Sequence, residues 1–179
     1  MLLYQDIFTG KDILTDSYKI LLVDDFLYEV DASYVTRKGD DFGDEMFGGN
    51  PSVEEAIEDS EAAGCVSGFD VILNHEDIEE YAEEPNYKKF MPVVKKIVKA
   101  AQSKMDADRH AQFKAKLAQF FGKGIGKQHF SNFQIYFSKG YIDEETGDIL
   151  AAPILVDADE TGMKAKMYYF KDLMTEVKQ

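Results

Sequence analysis

The residues best suited to chemistry in this sequence form a short acidic run, Asp157-Ala158-Asp159-Glu160-Thr161-Gly162. Carboxylates at the first and third positions, Thr at the fifth and Gly at the sixth match the opening of a calcium-binding EF-hand loop. The twelfth position, where the loop requires a bidentate Glu, is Tyr168. An acidic hairpin turn is therefore the better interpretation. It leaves Asp157, Asp159 and Glu160 as candidate ligands for weak calcium binding.

A second run, Lys123-Gly124-Ile125-Gly126-Lys127, resembles a phosphate-binding loop. Such a loop needs Gly five residues before its Gly-Lys pair and Ser or Thr after the Lys. Phe121 and Gln128 occupy these two positions. A glycine-rich helix terminus is the better interpretation.

No other residues form a recognisable catalytic set. His75, His110 and His129 have no metal-ligand spacing, and Cys65 has no activating neighbour in the sequence. No Gly-x-Ser-x-Gly nucleophile motif is present. The sequence therefore predicts a binding protein that is not an enzyme and requires no cofactor.

The charge of the chain is strongly segregated. Residues 38–85 hold 16 of the 34 acidic groups and one basic group, whereas residues 86–130 hold eleven basic and two acidic groups. The net charge of −14 makes nucleic acid an unlikely partner, because phosphate binding needs a positive field. A lysine face is usually a solvated helix surface. Ordinary exposed helices mix charges of both signs, however, so this one-signed segment favours an acidic partner or the protein's own acidic loop.

Length and composition indicate one soluble domain, spanning 1–179. The chain is 45% apolar with 13 Phe and 10 Tyr, which excludes a disordered protein. A single cysteine fits a reducing compartment. The first residues lack the features of a secretory signal, and no apolar run approaches the roughly 20 residues that span a bilayer. We expect a cytoplasmic protein without a membrane partner.

The elements that must position the basic segment are two helices. Apolar residues from Tyr87 to Met105 recur with helical period and place lysines on the opposite face, although Pro92 predicts a kink or a later start. A break with a candidate N-cap follows at 106–108, and a second helix carries His110 and Phe113 up to the glycines. The predicted hairpin spans about 85–127. Its candidate acidic-partner residues are Lys88, Lys89, Lys95, Lys96, Lys99 and Lys104.

The rest of the chain is predicted to be β-rich. Strands are expected at 2–4, 18–23, 26–30, 34–37, 66–73, 133–137, 149–156 and 163–170, with a loop over 6–16 and a hairpin break at Asp24-Asp25. Residues 38–66 have few large apolar side chains and predict a long mobile acidic loop, with a transient helix over 54–63 left open. The fold class is α+β, a mostly antiparallel sheet core with an inserted helical hairpin.

Ordered matches along the whole chain resemble the translationally controlled tumour protein family. The most specific is Phe47-Gly48-Gly49-Asn50-Pro51-Ser52-Val53-Glu54-Glu55, which resembles the signature of that family's acidic loop. Further matches are Met1-Leu2-Leu3-Tyr4-Gln5-Asp6, Asp16-Ser17-Tyr18-Lys19, Phe69-Asp70-Val71-Ile72-Leu73-Asn74-His75, Tyr87-Lys88-Lys89-Phe90, Phe130-Ser131-Asn132-Phe133-Gln134 and Tyr168-Tyr169-Phe170-Lys171-Asp172-Leu173.

The resemblance implies a β-tent, Mss-like core with a projecting helical pair. It also implies calcium binding, association with tubulin or microtubules through the basic helices, and growth-regulating and anti-apoptotic roles with apoptosis regulators as partners. A further implied role is assistance of nucleotide exchange on a Rheb-type small GTPase. That role centres on an acidic residue corresponding to Asp12, where the family usually has Glu. Asp is shorter by one carbon–carbon bond, about 1.5 Å.

Other departures from the family concern charge. Ser138-Lys139 replaces the usual Gly-Glu, which removes an acidic group near the expected GTPase face. Glu45 stands where some members carry a phosphorylatable Ser, so that switch is expected to be absent or permanently mimicked in charge. The glycine-rich segment at 122–126 predicts a shortened second helix.

Overall fold

The computed structural model describes residues 1–37 and 65–179. Most of the predicted acidic loop lies outside the described residues, including the signature at 47–55, Glu45 and the helix predicted over 54–63.

In the described parts of the chain, one run of strands precedes the long helices and a second run follows them. The strands are β1 (Leu2–Asp6), β2 (Asp12–Thr15), β3 (Ile20–Val23), β4 (Leu27–Arg37), β5 (Val66–Phe69), β6 (Ile78–Glu80), β7 (Phe133–Ser138), β8 (Ile154–Ala158), β9 (Lys164–Phe170) and β10 (Met174–Lys178). The helices are α1 (Asp70–Leu73), α2 (Tyr87–Ala101), α3 (Ala107–Gly122) and α4 (Ile125–Gln128). Short 3-10 turns cover Gln102–Lys104, Phe130–Asn132 and Lys171–Leu173.

A small antiparallel sheet brings the two ends of the chain together. β1 lies between β10 and β2, and Leu3 pairs with Val177 on one side and with Thr15 on the other. Ile13 and Leu14 of β2 are fully buried. The predicted loop over 6–16 was therefore wrong at β2. A four-residue strand between charged residues has little local signal, and pairing with β1 stabilises it.

The larger sheet has the strand order β3-β4-β9-β8-β7-β6, and each neighbouring pair is antiparallel. β5 pairs with the last four residues of β4. Val30, Met167 and Val156 lie in one row across β4, β9 and β8, and each is fully buried. This row belongs to the hydrophobic core.

The predicted hairpin break at Asp24-Asp25 is confirmed. Both residues lie in the three-residue connection between β3 and β4, with φ angles of 61° and 53° in the left-handed region typical of tight hairpin turns. Asp tolerates this region better than most residues, because its short side chain bonds locally.

Three strand predictions differ from the structure. The strand predicted over 66–73 ends at Phe69 and continues as α1, because a short apolar run does not distinguish a strand from a buried helical turn. The strand predicted over 149–156 begins at Ile154, and Ile149 forms only a single bridge with Ile142. The segment 34–37 extends β4 instead of forming a separate strand.

Aromatic side chains attach the two long helices to the larger sheet. Phe90 of α2 has its ring centroid 6.4 Å from that of Phe137 in β7, and Phe120 of α3 lies 5.6 Å from Phe170 in β9. All four rings are buried. Such pairs contribute about 0.5–1.5 kcal/mol each beyond the burial of their area. The α+β prediction, mostly antiparallel sheets with an inserted helical hairpin, is confirmed.

Candidate functional site

The predicted helical hairpin is formed by α2 and α3. Asn86 caps α2, where its Oδ1 accepts a hydrogen bond from the Lys89 N–H at 3.1 Å. Asp106 caps α3 and accepts from the Asp108 N–H at 2.9 Å, as the sequence predicted. Both side chains satisfy backbone donors that the first helical turn leaves unpaired. Pro92 lies inside α2 without ending it.

Two polar contacts show that α2 and α3 run antiparallel. The Tyr87 hydroxyl donates to the Phe121 carbonyl at 2.6 Å, which joins the start of α2 to the end of α3. His110 Nε2 lies 2.8 Å from the Val98 carbonyl, which joins the other ends. Since a carbonyl only accepts, His110 Nε2 carries the proton.

An ionic clasp, formed by Arg109, Asp25, Asp172 and Lys171, fastens α3 to the β3–β4 turn. The Arg109 guanidinium donates to both carboxylate oxygens of Asp172, and to the Asp25 carboxylate at 2.9 Å and carbonyl at 2.6 Å. Lys171 also pairs with Asp25. Hydrogen bonds from Lys171 and Arg109 lower the pKa of Asp25 to about 2. The sequence indicated only a turn at Asp25, because its partners lie far along the chain.

Several other cations of the hairpin are also held by the protein itself. Lys96 Nζ lies 2.6 Å from Asp148 Oδ1, and this contact lowers the pKa of Asp148. Lys116 donates to the Asp24 carbonyl. Lys127 lies 3.8 Å from the centre of the Tyr87 ring, and Lys104 lies 5.9 Å from that of Phe8. Lys96 and Lys104, both predicted to bind an acidic partner, therefore have partners within the chain.

The remaining lysines of the hairpin, named here the open lysines, are exposed. Within residues 1–37 and 65–179 their ammonium groups have no ion pair and no hydrogen bond. Lys95 follows Lys88 by seven residues and Lys99 follows Lys95 by four, so these three share one face of α2. Four of the open lysines are among the acidic-partner residues predicted from the sequence, and two, Lys114 and Lys123, are not. The open lysines are Lys88, Lys89, Lys95, Lys99, Lys114 and Lys123.

Asp12, the residue that the resemblance connects with GTPase binding, is the first residue of β2. Its Oδ1 accepts a hydrogen bond from Gln5 Nε2 at 2.8 Å. Asp12 lines an open cleft of about 470 Å³ together with Tyr18, His75 and Asp77. The Asp12 carboxylate is thus held at the edge of a cleft that Glu76 and Asp77 also line.

Ser138 is fully buried and does not form part of an exposed face. Its hydroxyl donates to Asp6 Oδ2 at 2.8 Å and shares a hydrogen bond with the Thr9 hydroxyl at 2.7 Å. The Ala152 N–H donates to the same Asp6 oxygen at 2.8 Å. Lys139 is exposed. The buried Asp6–Ser138 contact was not predicted, since 131 residues separate the two along the chain.

The calcium candidates Asp159 and Glu160 lie in the β8–β9 turn, as the hairpin interpretation predicted, whereas Asp157 lies within β8. Asp157 accepts hydrogen bonds from His129 Nδ1 at 2.9 Å and from Asn132 Nδ2. Asp159 Oδ1 accepts from the Thr161 hydroxyl at 2.6 Å and from backbone N–H groups, and these bonds lower its pKa. No cluster of three or more His, Cys, Asp or Glu in the described segments is arranged to hold a metal ion. Calcium binding, including a role for Glu160, stays a prediction.

His75 and Cys65 are two further residues whose side chains could take part in chemistry. His75 is buried, and its Nδ1 lies 2.7 Å from the Val71 carbonyl. Cys65 is a free thiol.

Among the helices that the structure describes, none is both long and apolar enough to cross a membrane.

The amino-acid sequence is similar to a known protein family along nearly its whole length. The sequence profile described as translationally controlled tumour protein matches residues 1–175. A translationally-controlled tumor protein homolog from Xenopus tropicalis is 31% identical over 173 residues, 96% of each chain.

Two solved structures share the architecture. The translationally controlled tumor-associated protein p23fyp from Schizosaccharomyces pombe has a TM-score of 0.70 with 27% identity, and the match covers all of both chains. The solution structure of the protein from Caenorhabditis elegans has a TM-score of 0.65 with 27% identity, covering 100% of this chain and 99% of that one. A match over nearly the whole length in both sequence and fold shows that this chain belongs to the translationally controlled tumour protein family.

Proposed function

We propose that this chain is a non-enzymatic binding protein of the cytosol whose basic helical hairpin holds acidic partners, with tubulin or microtubules as the first candidate. Membership of the family extends the proposal to the regulation of growth and cell survival, with apoptosis regulators as further partners. Calcium binding at the β8–β9 turn is a separate proposal, which calorimetry at millimolar calcium tests.

The observation that supports the hairpin proposal is the division of its cations into two sets. Lys96, Arg109 and Lys116 contact the body of the protein and hold the hairpin in place. The open lysines face solvent, with Lys88, Lys95 and Lys99 aligned along α2. Positive groups aligned on a rigid helix attract an acidic surface without the cost of ordering a flexible segment.

Microtubule co-sedimentation tests the proposal with the variant Lys88→Glu, Lys95→Glu, Lys99→Glu. We expect binding to weaken at least about tenfold, because six units of charge change on one face. Wild-type binding should also fall between low ionic strength and about 0.15 M, where charges are screened within about 8 Å.

The matched control carries the same charge change at exposed lysines outside the hairpin, Lys11→Glu, Lys19→Glu, Lys178→Glu. It should keep most of the binding. An equal loss in both variants would show an effect of net charge alone and would reject the hairpin as the contact surface.

A second candidate function is assistance of nucleotide exchange on a Rheb-type small GTPase. The position of the Asp12 carboxylate at the edge of the acidic cleft favours it. A carboxylate there would compete with phosphate and magnesium for the GTPase's own ligands.

Release of a fluorescent nucleotide from the purified GTPase tests this second function. Wild-type protein should accelerate release, Asp12→Asn should not, and the exposed control Asp31→Asn should behave as wild type. Identical release with and without wild-type protein would eliminate the candidate.

A further inference from the structure

An apolar groove of about 710 Å³ lies between α2 and α3. Most of its surface is apolar, and its floor is formed by side chains that both helices contribute. These side chains are Met91, Val94 and Val98 from α2, and Leu117, Ala118 and Phe121 from α3. A cavity of this volume is large enough for several apolar side chains of a ligand.

Three of the open lysines line the groove. Lys95 and Lys99 stand one helical turn apart on α2, and Lys114 stands on α3. The other polar lining groups include His110, whose Nε2 proton already bonds the Val98 carbonyl. No acidic side chain from the described ranges lines this groove. The groove therefore combines an apolar floor with positive charge contributed by both helices.

The shape of the groove fits a helical ligand. α2 and α3 have 15 and 16 residues, which corresponds to about 22–24 Å of helix at 1.5 Å per residue. They run antiparallel, so the groove follows their length. A third helix of about four turns would place side chains at i, i+3 or i+4 and i+7 on the floor.

From this combination we infer that the groove binds an acidic amphipathic helix of a partner protein. Apolar side chains of that helix would contact Val94, Leu117 and their neighbours. Acidic side chains one turn apart would face Lys95 and Lys99, and another on the opposite flank would face Lys114. The inference rests on the proposed function, because both assign acidic partners to the hairpin. The groove inference adds an apolar contact to the electrostatic one. An extended acidic tail would bind through charge alone and would not use this apolar contact.

The test uses the full chain and three fluorescent peptides of equal length and charge. One is amphipathic, with Leu at i, i+3, i+4 and i+7 and Glu on both flanks. The second is a scrambled version of it, and the third is an acidic peptide without apolar residues. Anisotropy titrations should show the amphipathic peptide binding at least about tenfold more tightly than the other two, a difference of about 1.4 kcal/mol.

The decisive variant fills the groove without changing its charge. Ala118 is an exposed residue of α3 that lines the groove, and Ala118→Gln should weaken the amphipathic peptide about tenfold while leaving the acidic peptide unchanged. Ala115→Gln is the matched control, since Ala115 is exposed on the same helix and does not line the groove. Met91→Gln, on the opposite helix, should also weaken the amphipathic peptide, because it replaces an apolar lining side chain by a polar one of similar size. Circular dichroism confirms that each variant is folded.

The outcomes separate this inference from the proposed function. Equal affinity for the amphipathic and scrambled peptides, or equal loss in the Ala118→Gln and Ala115→Gln variants, would overturn the groove inference while leaving an electrostatic contact in place. Failure of the Lys88, Lys95, Lys99 charge reversal to weaken the acidic peptide would reject the electrostatic contact itself.

Discussion

At the scale of single residues, the unexpected feature is the buried carboxylate of Asp6. Burial raises its pKa, and hydrogen bonds from Ala152, Phe8 and Ser138 act against that shift. The carboxylate connects β1 to β7 and to the segment before β8. Because a buried charge is costly unless it is hydrogen-bonded, each donor matters.

Replacement of Ser138 by Ala should therefore destabilise the protein. The substitution removes a donor to Asp6 and leaves Thr9 without its side-chain partner, and we expect a loss of about 1–2 kcal/mol at neutral pH. Urea unfolding followed by circular dichroism measures the change. Ser131→Ala, at an exposed position, should change stability by less than about 0.5 kcal/mol. Equal values for the two variants would show that the Asp6–Ser138 bond does not stabilise the fold.

At the scale of elements, the ionic clasp decides how α3 is attached to the sheet. Arg109 contacts Asp172 through two nitrogens and Asp25 through its carboxylate and carbonyl. The Asp172 side chain is only 9% exposed. A planar guanidinium can serve all these acceptors at once, whereas a lysine ammonium is a single point of charge.

Arg109→Lys should consequently cost about 1–3 kcal/mol of stability even though it conserves charge. The chain's other arginine supplies a matched control. Arg37 is exposed and, among residues 1–37 and 65–179, donates one side-chain hydrogen bond, to Asn74, so Arg37→Lys should cost less than about 0.5 kcal/mol. Thermal and urea unfolding both report the difference. An Arg109→Lys variant as stable as wild type would show that the Arg109 contacts do not stabilise the attachment of α3.

Gly122, the last residue of α3, and Gly126 in α4 differ in their surroundings and provide a second test at this scale. A Cβ added at Gly126 would lie 2.5 Å from ring atoms of Phe120 and 2.8 Å from its carbonyl oxygen, whereas one added at Gly122 would meet nothing within 4 Å. Gly126→Ala should destabilise by about 1–3 kcal/mol through overpacking. Gly122→Ala should be neutral, or stabilise by up to about 1 kcal/mol. The reverse order in unfolding measurements would mean that α4 does not pack on Phe120 as described.

At the scale of the whole molecule, the net charge of −14 and the shifted carboxyl groups predict how stability depends on pH. The pKa values of Asp25, Asp148 and Asp159 are lowered, so their contribution is present above their usual pKa and is lost as pH falls through the lowered values, which for Asp25 is about 2. Asp6 behaves oppositely. Its raised pKa means that protonation favours the folded state, and this contribution is lost as pH rises through the raised value.

The unfolding free energy should therefore rise on mild acidification from neutral pH and then fall steeply below about pH 4. The rise also reflects reduced repulsion within an acidic chain. Circular dichroism is the suitable probe, since the chain has no Trp. Asp25→Asn should make the unfolding free energy fall less steeply at acidic pH, because it removes the carboxylate with the pKa of about 2. A stability that falls continuously from pH 7 downwards would contradict this assignment.

The sequence alone determined the features that depend on local pattern. Helical periodicity predicted α2 and α3 with nearly correct limits, and a candidate N-cap at 106–108 predicted the start of α3. The Asp24-Asp25 break predicted the β3–β4 hairpin. The ordered motifs predicted the family. These properties are readable because each depends on residues within a few positions of one another.

Only the tertiary structure decided which of these residues act together. Nothing local marks β10 as the partner of β1, Arg109 as a contact of Asp25 and Asp172, or Ser138 as a donor to Asp6. The tertiary structure also divides the lysines of the hairpin into those that hold the hairpin in place and those that face solvent around the groove. The physical reason is that pairing, burial and ion contacts depend on distances between remote segments, which the packing of the aromatic core sets.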